Sequence, residues 1–277
     1  IDDYFYPYPQ GGARFGDGKS NAERRQIVDG FVANMYRQIK AVKPWARVGI
    51  SPFGIWKPGI PAGTTAQLNA YEDLGCDAQK WLANGWCDYM APQLYWRIDG
   101  PQSYTLLLDW WRKQGSRPVW PGIATARIES SEDSGRKAKE IFQQVEYSRS
   151  IGKNYAGHLH WSVKAIMQNR DNVNELLKQA YGGPALVPPM PWINRSTPAS
   201  PKVSASVQGK STLIRWQKAD TATAKIVVQA RYASKWYTMQ IAAVSSGGTQ
   251  LTAAADAIAI TAVDRYGNTS LPKILRK

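Results

Sequence analysis

The sequence predicts an α/β fold in which the C-terminal portion of a TIM (β/α)8 barrel is followed by an all-β sandwich. Residues 1–182 alternate short apolar runs with amphipathic stretches, which is typical of parallel strands covered by helices. Residues 202–277 consist of short alternating runs separated by Gly- and Ser-rich turns, which indicates an antiparallel sandwich. Residues 183–201 are rich in proline, which keeps a chain extended, and are predicted to link the two domains.

The alternation within residues 1–182 predicts five strands and five helices. Residues 1–6 form the end of the first strand, and Asn21–Val42 form a long helix. The apolar positions that recur at helical spacing in this helix are Ile27, Phe31, Met35 and Ile39. The later strands cover residues 47–53, 88–96, 118–126 and 156–163, and the later helices cover residues 77–84, 104–113, 133–151 and 171–181.

The predicted barrel is incomplete. A full barrel needs about 250 residues, and the chain starts at Ile1 and not at Met, so we expect about three βα units upstream. Such a partial barrel would have two exposed edges, through which we expect association, and we expect little activity from this chain alone. No signal peptide and no membrane-spanning apolar run occurs in the sequence, so a secretory signal or a membrane tether would lie in the missing N-terminus.

Composition and charge limit the function classes. The chain has 12 Trp and 14 Tyr against 5 Phe, and these side chains either stack on sugar rings or fill a core. The net charge is +14, of which residues 202–277, with eleven Lys/Arg and three Asp/Glu, hold +8. No cluster of Lys/Arg with interleaved aromatics occurs, so we expect no nucleic-acid partner, and a solvated basic surface is the simpler interpretation of the charge. The aromatic content leaves a polysaccharide partner open.

Cysteine and histidine are sparse. Cys76 and Cys87 flank a predicted helix that holds its ends about 12 Å apart, whereas a disulfide needs Cα atoms within about 7 Å. Either the chain folds back after the helix and the two pair, or both are buried free thiols. Two cysteines and two distant histidines, His158 and His160, do not form a metal-ligand pattern, so we expect no metal and no cofactor.

Asp2 and Asp3 are the most informative pair of residues. The active site of a (β/α) barrel lies at the carboxyl ends of its strands, where these two acids fall. Burying adjacent acids is costly unless they are used or paired, and a carboxyl pair can supply a general acid and a base. Neighbours on a strand point to opposite faces, so only one of the two is expected to face the barrel interior. The alternative is a solvent-exposed strand end or an Asp-capped turn.

Polar and aromatic residues follow the other predicted strands. Gln93 and Tyr95 share one face, so Gln93 is expected to bind hydroxyls and Tyr95 to donate to a substrate carbonyl. His160 and Trp161 have opposite parity, so only one of them is expected to face inward. The predicted catalytic residues are Asp2, Asp3 and Tyr95, and the predicted substrate-binding residues are Tyr4, Tyr6, Trp56, Gln93, Trp96, His160 and Trp161.

Four segments carry a resemblance to a known family: IDDYFYPYP at residues 1–9, VGISPFGIW at 48–56, the run ending in APQLYW at 71–96, and DRYGNTS at 264–270. Together they resemble the glycosyl-hydrolase-like family 10, formerly a domain of unknown function. The resemblance implies a TIM-barrel hydrolase that acts on peptide-free peptidoglycan strands. The family occurs in exported bacterial proteins and in outer-membrane lipoproteins. The resemblance also implies that the DDYFYP motif ends barrel strand four, so that Asp2 and Asp3 are the motif acids.

Two further resemblances concern the sandwich and the mechanism. The run AITAVDRYGNTS at residues 259–270 resembles the last strands of fibronectin type III modules, so we expect a fibronectin-III-like sandwich. The barrel is more distantly similar to family 18 chitinases, in which the acetamido carbonyl of the substrate is the nucleophile. By that analogy one of the two acids orients the acetamido group, Tyr95 steadies it and Trp161 forms the floor of a sugar subsite.

The sequence departs from the chitinase pattern at the proton donor. The Glu that serves there has no equivalent, because Tyr4 and Phe5 follow the two acids. The second Asp, or an acid from elsewhere such as Glu129, would have to serve. The leading hypothesis is a glycoside hydrolase of the cell envelope, either periplasmic or an outer-membrane lipoprotein. Its rival is a non-catalytic glycan-binding or scaffolding protein. A third hypothesis, a basic adaptor that acts through the sandwich, is supported by charge alone.

Overall fold

The computed structural model describes residues 1–11, 15–152, 156–209 and 211–276. It divides into two compact units, Ile1–Ala180 and Tyr181–Lys277. Helices and parallel strands make up the first unit, and antiparallel strands make up most of the second. This mixed content fits the predicted α/β class. None of the helices in the described ranges is both long and apolar enough to cross a membrane.

The first unit is built on short parallel strands that follow one another in chain order. These are β1 (Gly49–Ile50), β2 (Tyr89–Met90), β3 (Gly122–Ile123) and β4 (Leu159–His160). β1 pairs with β2 and β3 pairs with β4, and parallel bridges from Gln93 to Phe53 and Gly122 join the two pairs. The backbone of Ile1 bonds to Gly49 and Ser51, so the chain start lies beside β1.

Helices alternate with these strands. They are α1 (Asn21–Val42), α2 (Ala70–Asp73), α3 (Ala78–Ala83), α4 (Tyr104–Trp111), α5 (Ala138–Gly152), α6 (Val163–Met167) and α7 (Val173–Tyr181). α1 has the bounds that the sequence predicts, because Ser20 and Glu23 form a reciprocal capping box at its start. α5 begins at Ala138 and not at residue 133, because Asp133 lies in a 3-10 turn and pairs with Arg136.

The buried face of α1 does not coincide with the apolar positions that recur along its sequence. Ile27 and Phe31 are 49% and 55% exposed, whereas Val28 and Val32 pack into the core of the first unit. Asp29 lies on this buried face and accepts hydrogen bonds from two side chains of α3. Apolar spacing alone does not identify the packing face of this helix, because a paired acid also belongs to that face.

Both cysteines are buried free thiols. Burial raises the pKa of the Cys76 thiol, and it raises the pKa of the Cys87 thiol to about 12. Both side chains therefore act as small apolar groups of the core. Of the two alternatives that the sequence leaves open, the structure has the unpaired thiols.

The second unit consists of two antiparallel sheets around a core of its own. The strands described are β5 (Lys202–Gln208), β6 (Ser211–Gln217), β7 (Thr223–Tyr232), β8 (Lys235–Ala243), β9 (Gly248–Leu251), β10 (Ala257–Asp264) and β11 (Lys273–Arg276). One sheet has the order β5-β6-β9 and the other has the order β11-β10-β7-β8. Trp216, Ile226 and Ile260 lie in the core that the two sheets share, as expected for strands with one buried face.

Candidate active site

A pocket of about 500 Å³ opens on one face of the parallel strands. Four of its lining residues, Tyr89, Ala91, Gln93 and Tyr95, alternate along the segment that contains β2, because successive side chains of a strand point to opposite faces. The lining residues are Ile1, Asp2, Asp3, Tyr4, Tyr8, Gly49, Ile50, Ser51, Tyr89, Ala91, Gln93, Tyr95, Leu159 and Trp161.

Asp2 and Asp3 lie in a bend and not in a continuing strand. The backbone N–H of Asp3 donates to Asp2 Oδ1 at 2.9 Å, and the N–H of Phe5 donates to the carbonyl of Asp3 at 2.9 Å. The alternation of a strand does not apply to a bend, so both acids line the pocket. The prediction that only one of them faces it was wrong for this reason.

Asp3 is the buried member of the pair, with 3% of its surface exposed. Burial raises the pKa of its carboxyl, the negative charge of Asp2 and a side-chain hydrogen bond with Asp2 raise it further, and a hydrogen bond from Tyr8 opposes the rise. The Tyr8 hydroxyl donates to Asp3 Oδ2. Asp3 therefore keeps its proton to a higher pH than an ordinary aspartic acid, as a general acid requires.

Asp2 is exposed, and the surrounding backbone and Gln93 fix its orientation. Gln93 Nε2 donates to Asp2 Oδ1 at 2.8 Å and also approaches the carbonyl of Ser51 at 3.3 Å. Gln93 thus lines the pocket, but its side-chain amide N–H donates to Asp2 and not to a substrate hydroxyl as predicted. The backbone N–H of Asp3 is the second donor to the same oxygen of Asp2.

Tyr95 lies in the same pocket with its hydroxyl available. Burial and the charges of Asp2 and Asp3 raise its pKa to about 12, so the hydroxyl stays protonated at physiological pH. Among the described residues this hydroxyl has no hydrogen-bond partner, and only the backbone carbonyl of Tyr95 accepts bonds. Tyr95 can therefore donate to a bound substrate.

Two predicted aromatic residues, Tyr4 and Trp161, also line the pocket and expose their rings. Leu159 lines it too, so residues 159 and 161 face the pocket and His160 faces the other way. There His160 Nδ1 lies 2.6 Å from Thr125 Oγ1. Burial lowers the pKa of His160 to about 4, which makes it a neutral buried imidazole at physiological pH.

Besides His160, three predicted substrate-binding residues lie outside the pocket: Tyr6, Trp56 and Trp96. All three pack against the core of the first unit. Trp56 donates from its indole N–H to Asp77 Oδ1 at 3.2 Å, and Trp96 packs edge-on against Phe53 with ring centroids 5.6 Å apart. Trp96 follows Tyr95 directly, so the alternation that brings Tyr95 into the pocket takes Trp96 away from it.

Sequence reasoning missed Tyr8 and Tyr89. Tyr8 reaches Asp3 only because the chain bends between them, and a bend of this kind has no simple sequence pattern. Tyr89 could have been found, because it has the same parity as Gln93 and Tyr95. Its ring stacks on Trp120 with centroids 4.4 Å apart.

Acids and histidines elsewhere do not converge on the pocket. Among the described residues, Asp2 and Asp3 are the acids that line it, and Glu129 is exposed outside it. The rings of His158 and His160 lie 5.1 Å apart. Within the described ranges no group of three His, Cys, Asp or Glu side chains could hold a metal ion. The ionisable side chains that line the pocket are the carboxyls of Asp2 and Asp3 and the phenols of Tyr4, Tyr8, Tyr89 and Tyr95.

Comparison with known proteins matches the part of the chain that carries most of the residues lining this pocket. Residues 1–137 match the family model described as Glycosyl hydrolase-like 10. The chain is 35% identical over 233 residues to the Glycosyl hydrolase YngK of Bacillus subtilis, an alignment that covers 76% of this chain and 46% of that protein. It is 33% identical over 146 residues to the Glycosyl hydrolase DigH of Escherichia coli K12, covering 46% of this chain and 33% of that protein. The matched part thus spans less than half the length of these curated relatives.

Proposed function

Because residues 1–137 belong to the glycosyl hydrolase-like 10 family, we propose that this chain is part of a glycoside hydrolase that cleaves peptide-free strands of bacterial peptidoglycan. The observation that carries the proposal is that the carboxyls of Asp2 and Asp3 line one pocket with the hydroxyl of Tyr95. Hydrolysis of a glycosidic bond needs a protonated acid for the leaving oxygen and a group that supports the oxocarbenium-like transition state.

Asp3 is our candidate for the proton donor. Burial raises the pKa of Asp3 and so favours the protonated carboxyl, and its position in the pocket wall would bring that proton beside a bound glycan. The proton passes to the glycosidic oxygen as the bond to the anomeric carbon breaks, and Asp3 is left as a carboxylate. This assignment fills the place that the missing chitinase-type Glu leaves open.

Asp2 and Tyr95 suit a substrate-assisted path. Direct mechanisms use carboxyls about 5–10 Å apart on either side of the bond, whereas Asp2 and Asp3 are neighbours in one bend, where the backbone N–H of Asp3 donates to Asp2 Oδ1. Asp2 would accept the N–H of the acetamido group, and Tyr95 would donate to its carbonyl oxygen. That carbonyl oxygen attacks the anomeric carbon as the glycosidic bond breaks and gives a cyclic intermediate. In the second step the Asp3 carboxylate takes a proton from a water molecule, and the oxygen of that water opens the intermediate.

The glycan and its location complete the proposal. The exposed rings of Tyr4 and Trp161 suit stacking on the apolar faces of sugars. The named relatives are proteins of two bacteria, and N-acetylated wall glycan is a polymer that both kinds of bacteria contain. A cell-envelope location, periplasmic or as an outer-membrane lipoprotein, places the enzyme beside that substrate.

The finer architecture is also an inference. We infer that the first unit is the C-terminal portion of a TIM barrel, which is supported by its parallel strands in chain order with intervening helices. We infer that the second unit is a fibronectin-III-like sandwich, which is supported by its sheets of three and four antiparallel strands around one core.

The test uses Asp2→Asn and Asp3→Asn in the longest natural form of the protein, with release of reducing ends as the readout. We expect wild type to cleave peptide-free glycan, and each variant to lose at least about 100-fold in kcat. Asp99→Asn is the matched control, because Asp99 is an exposed acid outside the pocket. Wild-type rates from folded Asp2→Asn and Asp3→Asn would refute the assignment, and glycan binding by wild type without cleavage would favour the non-catalytic alternative.

A further inference from the structure

The second unit has a groove of about 700 Å³ on its four-stranded sheet. Core residues Ile226 and Val228 alternate along β7 with groove residues Val227 and Gln229, so the groove lies on the face turned away from the core. One wall comes from the proline-rich segment that precedes the strands. The lining residues are Pro184, Ala185, Leu186, Val227, Gln229, Trp236, Thr238, Ala259, Thr261, Thr269, Ser270, Pro272 and Ile274.

The lining combines a flat aromatic ring with hydrogen-bonding groups that are not used by the protein. Trp236 is 41% exposed and lies at one end of the groove. The side chains of Gln229, Thr238 and Thr261 form no hydrogen bond with any other described residue. A sugar has an apolar face that stacks on indole and hydroxyls at its edge that bind amides and hydroxyls, so this lining suits a glycan.

Two arginines lie on the groove face of the sheet, Arg231 beside the ring and Arg276 on the opposite edge strand. Arg231 pairs in register with Trp236 on one side and with Ala257 on the other, and Ala257 pairs with Arg276, so their side chains share the groove face. The guanidinium carbon of Arg231 lies 5.8 Å from the centre of the Trp236 ring. Its Nε is buried and has no hydrogen-bond partner within the described ranges.

Charge complementarity then selects the ligand. Neither Arg231 nor Arg276 pairs with an acid among the described residues, and the described lining of the groove contains no Asp or Glu. Residues 202–277 carry a net charge of +8. A neutral glycan would leave both guanidinium groups unpaired, whereas a carboxylate on the sugar would accept hydrogen bonds from them.

We propose that this groove is a second glycan site, specific for a chain that bears carboxylates. The identity of the chain rests on the proposed function. When the peptide is removed from peptidoglycan, every muramic acid regains a free lactyl carboxylate, which chitin-type chains lack. The groove therefore holds the acidic strand by stacking on Trp236 and by ion pairing with Arg231 and Arg276.

The experiment measures binding of glycan strands to the full chain that carries Asp3→Asn, so that the strands stay intact. The probes are peptide-free peptidoglycan strands, the same strands after chemical reduction of their carboxyls, and chitin oligosaccharides of equal length. Trp236→Ala tests the ring, and Arg231→Gln with Arg276→Gln tests the charge. The controls are Tyr237→Ala, an exposed ring on the opposite face of β8, and Arg215→Gln, an exposed arginine of β6.

We expect Trp236→Ala and the double arginine variant each to weaken binding of the acidic strands by about tenfold, with both controls unchanged. Strands whose carboxyls have been reduced should bind weakly to the chain with an unchanged groove. Their affinity should equal that of acidic strands for the double arginine variant. Equal affinity of Trp236→Ala and Tyr237→Ala would overturn the site. Equal affinity of chitin oligosaccharides and acidic strands would overturn its specificity.

The outcome is separable from that of the proposed function, because cleavage is measured independently with the wild-type pocket. Binding that depends on Trp236, in a protein that cleaves no glycan, would support the groove and count against the hydrolase. Cleavage that depends on Asp3, with strand binding indifferent to Trp236, would support the hydrolase and overturn the groove. Circular dichroism of each variant verifies that the sandwich is folded.

Discussion

The hydrogen bond from Tyr8 to Asp3 sets the acidity of the proposed proton donor. This bond lowers the pKa of Asp3 against the rise that burial causes. Tyr8→Phe removes it, so the pKa of Asp3 rises further. A general acid works only while protonated, so we expect the alkaline limb of the kcat/KM profile to move to higher pH.

The control for this shift is Tyr4→Phe. The ring of Tyr4 lies 5.4 Å from that of Tyr8, but its hydroxyl has no hydrogen bond to another described residue. Its removal should leave the alkaline limb in place. A limb that moves equally in both variants, or moves to lower pH in Tyr8→Phe, would contradict the role of Asp3 as acid.

Asp3 should also reduce the stability of the first unit at neutral pH. The pKa of Asp3 is higher in the folded chain than in the unfolded chain. Its favourable contribution to stability is therefore fully present below the pKa that Asp3 has in the unfolded chain, and it is lost as pH rises through the pKa of Asp3 in the folded chain. Asp3→Asn should therefore increase the free energy of unfolding at neutral pH, because the buried charge is removed. Denaturant titrations should show the gain vanish at low pH, and a gain that grows on acidification would contradict this account.

At the residue scale, the sequence identified Asp2, Asp3 and Tyr95 as residues of the site but did not identify Tyr8 and Tyr89, which also line the pocket. The predicted site residues that line the pocket are Asp2, Asp3, Tyr4, Gln93, Tyr95 and Trp161. Strand parity explains Gln93 and Tyr95, whereas Asp2 and Asp3 line the pocket from a bend. Tyr8 was not predicted, since it depends on a bend.

Among elements, the alternation of strand and helix was predictable because each has its own hydrophobic period. The bounds of α1 follow from its capping residues, but its packing face does not follow from apolar spacing alone. Asp29 on that face is stabilised by side chains of α3, far away in sequence. The same holds for the free state of Cys76, which only the packed structure decides.

Asp88 joins α1 to β1 and β2. Its carboxylate pairs with Lys40 at 2.5 Å, accepts from the Tyr36 hydroxyl at 2.9 Å and accepts from the backbone N–H of Val48 at 2.7 Å. Asp88→Asn leaves the largely buried Lys40 without its counter-charge, so we expect the first unit to lose about 3 kcal/mol of unfolding free energy.

Thermal and denaturant unfolding measure that loss. Glu175→Gln, which breaks the exposed pair with Lys178, is the control and should cost less than about 1 kcal/mol. Replacing Lys40 by Met together with Asp88→Asn should recover part of the loss, since no buried charge then remains. Equal costs for Asp88→Asn and Glu175→Gln would show that the Asp88 pair does not anchor α1.

On the scale of the whole molecule, the chain has two units with separate cores. Glycan cleavage is proposed for the first unit and glycan binding for the second. The first unit holds a pocket with two acids, and the second holds a groove on a sheet face that carries a tryptophan and two arginines. The change of pattern at the proline-rich segment predicted two domains. The groove was not predicted, because it needs the register of four strands that are distant in sequence.

The charge of the whole chain should make its capture of acidic glycan dependent on salt. The net charge is +14, and the screening length falls from about 10 Å at 0.1 M to about 3 Å at 1 M ionic strength. We therefore expect affinity for peptide-free peptidoglycan strands to fall about tenfold between these salt concentrations. Affinity for neutral chitin oligosaccharides should change little, because stacking on aromatic rings is not screened. Cosedimentation at graded salt measures both, and an affinity for acidic strands that is independent of salt would show that charge does not guide the chain to its glycan.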